Sequence, residues 1–236
     1  MHPVPSRRSK RALALAAVVW LVMLHPASSR AQTDFGSPCA GTPITVHGLD
    51  AHEAASACQA VVDALAFLSA SGLDTSDPAE LRFVERLPVG PPDTESFGCH
   101  VRSERRIYML SLAACQTAVS NLPVDAPVHR GLVAHEVAHH VASTNFRVPR
   151  PTRVGHEYIA YVTMYATMTA EARERVLDLF PGEGFQSERQ IGLTFYLLDP
   201  HRFGANAYRH FMRPGNGVAF IERVLSGRAL AVEDSP

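Results

Sequence analysis

The residues best suited to chemistry form the segment His135-Glu136-Val137-Ala138-His139, which matches the pattern H-E-x-x-H. Residues four apart on an α-helix project from the same face, so two histidines at this spacing can bind one metal ion. The apolar residues around the segment predict such a helix, and its glutamate can reach a water at the metal. The segment therefore predicts a zinc site formed by His135 and His139, with Glu136 as general base.

A catalytic zinc site generally needs a third protein ligand and an open position for water. Glu157 is the candidate, because it lies in the next predicted helix, which Thr152 caps. With this spacing and the sequence His156-Glu157-Tyr158-Ile159-Ala160, residues 80–168 resemble the gluzincins, the thermolysin-like branch of the zinc metallopeptidases. The resemblance implies a zincin-like fold, a zinc ion held by the two motif histidines and Glu157, and hydrolysis of peptide bonds.

One position departs from the gluzincin pattern. Thermolysin-like enzymes place an aspartate that orients a zinc histidine four residues after the glutamate, and here that position is Tyr161. Either the Tyr161 hydroxyl or another acid takes this role. His140 and His156 adjoin the motifs and are interpreted as packing or supporting residues rather than ligands.

A hydrolase of this type also needs a donor to the developing oxyanion. His201 and Tyr208 are the preferred candidates, because Asp199-Pro200 is predicted to end a helix and to begin a loop that folds over a cleft. The other candidates are Tyr161, Tyr165 and His210.

The main alternative is an exported zinc-binding or partner-binding domain without peptidase turnover. Glu136 argues against it, because metal binding alone needs no acid at that position. A metzincin would have a glycine and a third histidine soon after His139, where Ala142 and Asn145 stand. A nucleobase deaminase needs H-x-E followed by P-C-x-x-C, and the chain has no C-x-x-C.

Residues 1–31 have the pattern of an export signal. Basic residues stand at positions 7, 8, 10 and 11, an apolar run extends from Ala12 to Leu24, and Ser29-Arg30-Ala31 suits a signal peptidase. The apolar run is shorter than the roughly 20 residues that span a bilayer. The sequence therefore predicts cleavage before Gln32 and a periplasmic or secreted product without stable membrane insertion.

The charge of the mature chain argues against nucleic acid as a partner. Removing the five basic residues of the signal leaves 17 Lys and Arg against 23 Asp and Glu, a net charge of −6. An acidic chain without a basic run repels a phosphate backbone. A peptide or protein substrate is expected instead.

The four cysteines, Cys39, Cys58, Cys99 and Cys115, all follow the predicted signal. An even number in an oxidising compartment favours two disulfides. Three pairings are possible, and the local links Cys39 to Cys58 and Cys99 to Cys115 are preferred because each closes a short loop. A zinc site of four cysteines is disfavoured, because none of them forms a C-x-x-C pair.

The elements predict an α+β fold within one domain, residues 32–236, with a mainly antiparallel N-terminal sheet, an active-site helix and a helical C-terminal half. Alternating apolar residues predict strands at 42–49, 81–87, 97–101 and 105–110. A helix capped by Asp50 is predicted at 50–70. Helical patterns follow at 112–119, 127–143, 152–168, 170–179, 188–198, 205–212 and 217–225.

Overall fold

The computed structural model describes residues 36–48, 51–88, 96–118 and 120–231. The predicted export signal and the predicted cap Asp50 lie outside these ranges. The described chain is α+β, as predicted. Its strands are β1 (Ser37–Pro38), β2 (Ile44–His47), β3 (Ala79–Val84), β4 (Gly98–Val101) and β5 (Arg106–Leu110). Its helices are α1 (Ala51–Ala70), α2 (Leu112–Thr117), α3 (Ala126–Asn145), α4 (Arg153–Thr167), α5 (Ala170–Leu179), α6 (Leu193–Leu198), α7 (Pro200–Phe211) and α8 (Gly217–Leu225).

The five strands form one mixed sheet in the order β1-β2-β3-β5-β4. The pairings β2·β3 and β3·β5 are parallel, whereas β1·β2 and β4·β5 are antiparallel. The prediction of a mainly antiparallel sheet is therefore wrong, because two of the four strand pairings are parallel. The reason is that α1 connects β2 to β3 as a crossover, and a crossover helix leaves its two strands parallel. Antiparallel pairing is confined to the two edges.

One face of this sheet packs against the helices. The register places Val46 beside Leu81, and Leu81 beside Ile107, and all three side chains are fully buried. At the edge, Gly98 of β4 lies opposite Met109, and His100 opposite Ile107. Because cross-strand partners share a face, Gly98 and His100 point towards the helical layer that carries the H-E-x-x-H motif.

The helix α1 is the one described helix that is long and apolar enough to cross a membrane. Its apolar side is instead part of the protein core, where Ala57, Val61, Ala64 and Leu68 are buried. A disulfide from Cys39 to Cys58 ties the start of the sheet to this helix, which confirms the first predicted pairing. A disulfide at this position fits an oxidising environment.

The second predicted pairing is wrong, because Cys99 and Cys115 are free thiols. Cys99 lies opposite Tyr108 of β5, on the sheet face that turns away from the core. Cys115 is buried in the core from α2, with its thiol 3.7 Å from the Leu110 carbonyl oxygen. The two thiols therefore stay unpaired, although their separation in sequence is short.

We expect the unreduced, denatured protein to react with two equivalents of an alkylating reagent, at Cys99 and Cys115. In the native protein the reaction should be much slower, because burial raises the pKa of Cys99 to about 11 and that of Cys115 to about 12. Mass spectrometry of alkylated peptides measures both results. Recovery of a Cys99–Cys115 linked peptide would contradict the structure.

The C-terminal half differs from the predicted pattern around residue 199. The helix predicted at 188–198 is divided into a 3-10 turn, Glu188–Gln190, and α6. Asp199 does not open a loop but caps α7, accepting a hydrogen bond from the Arg202 backbone, and Pro200 occupies the first turn. Proline suits the first turn of a helix, because its fixed φ is already helical and the N–H that it lacks would have no partner within the helix. His201 is therefore held in a helix and not in a loop over a cleft.

Candidate metal site

The motif helix α3 lies at the centre of the molecule. Asp125 caps it by accepting a hydrogen bond from the Val128 backbone, and Pro127 stands in its first turn. Every residue from Leu132 to Ala138 is buried, so both apolar flanks and the motif itself are enclosed. The next helix, α4, is capped by Thr152 and buries Glu157 against α3. Packing thus brings the two segments of the sequence motif to one place.

The structure brings His135, His139 and Glu157 together as one group of three ligand-type side chains. The two imidazole Nε2 atoms are 3.0 Å apart. One oxygen of Glu157, Oε2, lies 3.5 Å from Nε2 of His135 and 3.7 Å from Nε2 of His139. The three atoms therefore surround a common point.

These separations fit a bound metal ion. Zinc ligands at 2.0–2.2 Å and tetrahedral angles lie about 3.3–3.5 Å from one another, and the observed separations of 3.0–3.7 Å bracket that range. Two imidazoles and a carboxylate are also a ligand set that zinc accepts at catalytic sites. The three residues can hold a metal ion without a change in the helices that carry them.

The charges of Glu157 and His139 agree with a cation site, whereas the pKa of His135 is raised, because burial, which lowers it, is outweighed by Glu157 and Glu136. Burial alone would raise the pKa of Glu157, but His139, His135 and Tyr196 lower it to about 2, so the carboxylate is ionised. Burial lowers the pKa of His139 to about 3, so this imidazole is neutral and free to donate its lone pair. A metal ligand must be deprotonated in the same way.

Glu136 is buried beside the three ligands. Burial is the main cause that raises its pKa, to about 7, and the charge of Glu157 adds to the effect. Its neighbour on the sheet is Gly98 of the edge strand β4. A methyl group at Gly98 would stand 2.5 Å from Cγ and 2.8 Å from Oε1 of Glu136. The absence of a side chain at Gly98 thus leaves room for the Glu136 carboxylate.

We expect Gly98→Ala to displace the Glu136 carboxylate and to lower the hydrolysis that the sequence predicts by about 10–100-fold, because misplacement of a general base by about 1 Å would cost up to this much. Metal content should not change, since the three atoms nearest to a methyl group at Gly98 all belong to Glu136. Steady-state kinetics and metal analysis of the purified variant measure both. Combined with Glu136→Gln, the substitution should have no further effect, because both act on one carboxylate. Full activity of Gly98→Ala would contradict this role of the glycine.

Tyr161 lies against the first histidine of the site. Its ring is 4.5 Å from that of His135 in an edge-on arrangement. No hydrogen bond to Nδ1 of His135 is formed by any described residue, although this atom is buried. Tyr161 therefore supports His135 through ring packing, and the acid that gluzincins place here has no counterpart among the described residues. Gly204 of α7 leaves room for the Tyr161 ring, because a side chain at this position would clash with it.

The remaining motif histidines lie outside the ligand group, as predicted. His140 is buried, with its Nδ1 3.3 Å from Nε2 of His100 and its Nε2 3.1 Å from the Asp77 carbonyl oxygen. It thereby links α3 to the edge strand β4. The ring of His156 lies 6.2 Å from that of His139 and 4.4 Å from that of Phe146.

The two predicted oxyanion donors occupy different environments. His201 is buried near His135, and its Nε2 lies 3.2 Å from the hydroxyl oxygen of Ser120. Burial is the main cause that lowers its pKa to about 4, so the imidazole is neutral. Tyr208 stacks on Tyr165 at 5.4 Å, with the Arg173 guanidinium 5.8 Å from its ring. The contacts of Tyr208 are thus with this neighbouring cluster and not with the three ligands.

The residue that sequence reasoning missed is Tyr196 of α6, which lies close enough to Glu157 to lower the pKa of its carboxylate. Tyr196 is 39 positions after Glu157 in a short helix with no motif. No periodicity could have indicated it, because the contact depends on how α6 folds back over α4.

These features define an α+β protein with a buried His-His-Glu group that could hold a metal ion. The chain belongs to DUF6639, a family of unknown function, whose model matches residues 44–234. No curated protein and no solved structure matches the chain significantly. The matched range includes both ligand-bearing helices, α3 and α4, and the two C-terminal helices that pack beside them.

Proposed function

We propose that this protein is a zinc-dependent hydrolase, specifically a metallopeptidase of gluzincin-like, zincin-like architecture. The observation that carries the proposal is the convergence of three ligand atoms from α3 and α4 with a fourth buried group, Glu136, beside them. Metal storage or a structural ion explains the three ligands, but neither explains a buried carboxylate of raised pKa next to them. That fourth group is what a hydrolytic site requires.

In this mechanism, His135, His139 and Glu157 would hold a zinc ion, whose chemistry there would be Lewis acidity towards the scissile carbonyl and the attacking water. Glu136 takes a proton from that water while the water oxygen forms a bond to the carbonyl carbon. The same carboxyl then gives the proton to the leaving amine as the C–N bond breaks. A carboxyl with a pKa of about 7 is suited to both steps near neutral pH.

His201 is the better placed of the two predicted oxyanion donors, because it lies near His135. Its Nε2 is occupied by Ser120, so a direct role requires that this hydrogen bond exchange for one to the substrate. Tyr208 would need a larger displacement, since its ring is stacked on Tyr165.

We further propose that the protein acts in the periplasm or outside the cell on peptides or proteins. Two features support this: the signal pattern in residues 1–31 and the Cys39–Cys58 disulfide. A substrate of this kind does not depend on a basic surface, in agreement with the acidic composition of the chain after residue 31.

The test combines metal analysis with a substrate screen. The purified protein should contain close to one zinc per chain, and His139→Ala should contain almost none. A broad peptide library should reveal cleavage that a chelator abolishes and zinc restores. A wild-type protein that binds zinc but cleaves no member of the library would favour the non-catalytic zinc-binding alternative, and a protein that binds no metal would refute both.

A further inference from the structure

His140 joins the motif helix to the edge strand of the sheet. Its Nδ1 lies 3.3 Å from Nε2 of His100 in β4, and the two rings meet edge-on at 5.2 Å. On the other side of the His140 ring, Nε2 lies 3.1 Å from the Asp77 carbonyl oxygen. A carbonyl oxygen only accepts hydrogen bonds, so this nitrogen is the donor. The ring is buried, and both of its nitrogens have partners within the protein.

The strand that His140 contacts is held by the sheet on one side only. It is four residues long, and β5 is the one described strand that pairs with it. A segment with few backbone hydrogen bonds opens more easily than an inner strand that is paired on both sides. The position of β4 therefore depends on its side-chain contacts with α3 as well as on its pairing with β5.

Two contacts between β4 and α3 are matched in their spacing. Gly98 and His100 are two positions apart on the strand, so they share a face and lie about 6.7 Å from each other. Glu136 and His140 are four positions apart on the helix, so they also share a face and lie about 6 Å from each other along its axis. The contact between Gly98 and Glu136 therefore stands directly beside the contact between the two histidines.

We propose that His140 is a positioning residue for Glu136: its hydrogen bond with His100 fixes β4 against α3 and thereby places Gly98 beside the Glu136 carboxylate. This inference rests on the proposed function and deepens it, because it concerns the proposed general base. A methyl group at Gly98 would stand 2.5 Å from Cγ of Glu136, so the strand and the carboxylate are closely fitted. Movement of β4 towards the helix would displace the carboxylate, and movement away would free its terminal torsion to rotate.

Two substitutions of His140 separate positioning from a purely structural role. The amide of asparagine takes the place of Nδ1, so His140→Asn keeps the contact with His100 and loses the contact with Asp77. The amide of glutamine reaches the place of Nε2, so His140→Gln keeps the contact with Asp77 and loses the contact with His100. Each variant lacks one hydrogen bond of the same buried residue, so thermal unfolding should show both to be folded and similarly destabilised. A purely structural role would therefore give them equal activity.

We expect His140→Gln to lower kcat on a cleaved peptide by about 10–100-fold, the effect of a misplaced catalytic group, with KM and zinc content little changed. His140→Asn should stay near the wild-type kcat. Combined with Glu136→Gln, His140→Gln should have no further effect, because both act through one carboxylate. Hydrogen exchange of residues 98–101 in the metal-free protein should be about 2–10-fold faster in His140→Gln than in His140→Asn, the effect of one hydrogen bond.

His129→Asn is the matched control, because it removes another hydrogen bond between α3 and the sheet. Nε2 of His129 lies 2.9 Å from the Leu110 carbonyl oxygen, about two helical turns before Glu136. This variant should keep the wild-type kcat. Equal kcat, or equal exchange of residues 98–101, in the two His140 variants would show that His140 has no positioning role, and the proposed hydrolase would stand. If the wild type hydrolyses no peptide, the proposed function fails, and this inference fails with it.

Discussion

Glu136→Gln should lower peptide hydrolysis by about 10²–10⁴-fold, the usual range for the loss of a general base. Glutamine has nearly the shape of glutamate, but its amide cannot accept a proton from water. Zinc content should stay at the wild-type value, because His135, His139 and Glu157 are untouched. The fold should also be retained, since glutamine is uncharged and Glu136 is buried in a region that disfavours charge. Steady-state kinetics on a cleaved peptide and metal analysis measure the two effects separately.

Glu171→Gln is the control for this substitution, because Glu171 is exposed in the first turn of α5. It should keep full activity. Equal activity of Glu136→Gln and the wild type would show that Glu136 is not the base, and the metallopeptidase proposal would then lose its main support.

Glu157→Ala should lower zinc affinity by more than about 100-fold, which exceeds the effect of removing a residue that only supports a ligand. It leaves the two histidines of α3 without the carboxylate that completes the group. The motif helix should remain folded, because Val133, Val137 and Val141 stay buried in the core. Dye competition gives the affinity, and circular dichroism checks the helix content.

His210→Ala provides a comparison for Glu157→Ala, because it also removes a buried polar side chain next to α4 but outside the ligand group. The imidazole of His210 lies 2.8 Å from the Tyr158 hydroxyl. Its replacement should destabilise the protein without changing zinc affinity. If the two variants bind zinc equally well, Glu157 is not a ligand, and a site of two histidines remains.

The ligand group could be anticipated from the sequence because local rules determine most of it. Helical spacing alone puts His135 and His139 on one face, and Thr152 indicates the start of the helix that carries Glu157. Whether α4 turns Glu157 towards α3 is a matter of tertiary packing, and here the resemblance to gluzincins supplied the expectation.

Three features could not be anticipated, and each depends on contacts between distant parts of the chain. The parallel pairing of β3 depends on the crossover through α1, which no strand pattern records. The free thiols of Cys99 and Cys115 depend on where the fold places two segments of the chain, which an even cysteine count does not record. The proximity of Tyr196 to Glu157 requires α6 to fold over α4, and the α6 sequence carries no signal for that.

The start of α7 differs from the sequence prediction for a different reason. The pair Asp199-Pro200 predicts a helix end, because proline cannot continue a helix from within. The same pair is equally suited to a helix start, with aspartate as the cap and proline in the first turn. The helical patterns before and after the pair must decide whether it ends one helix or starts the next. The preceding helix, α6, is too short to give a clear pattern.

The enclosure of α3 also determines the order of folding and metal uptake. Leu132 to Ala138 are buried by apolar packing that needs no ion, so the two histidines hold their spacing in the metal-free protein. This differs from small zinc domains, in which the ion supplies the folding free energy. The chain can therefore fold first, and the proposed metal ion would bind afterwards. Because metal availability as well as affinity decides which divalent ion occupies such a site, an ion found in the protein should reflect the compartment in which it was loaded.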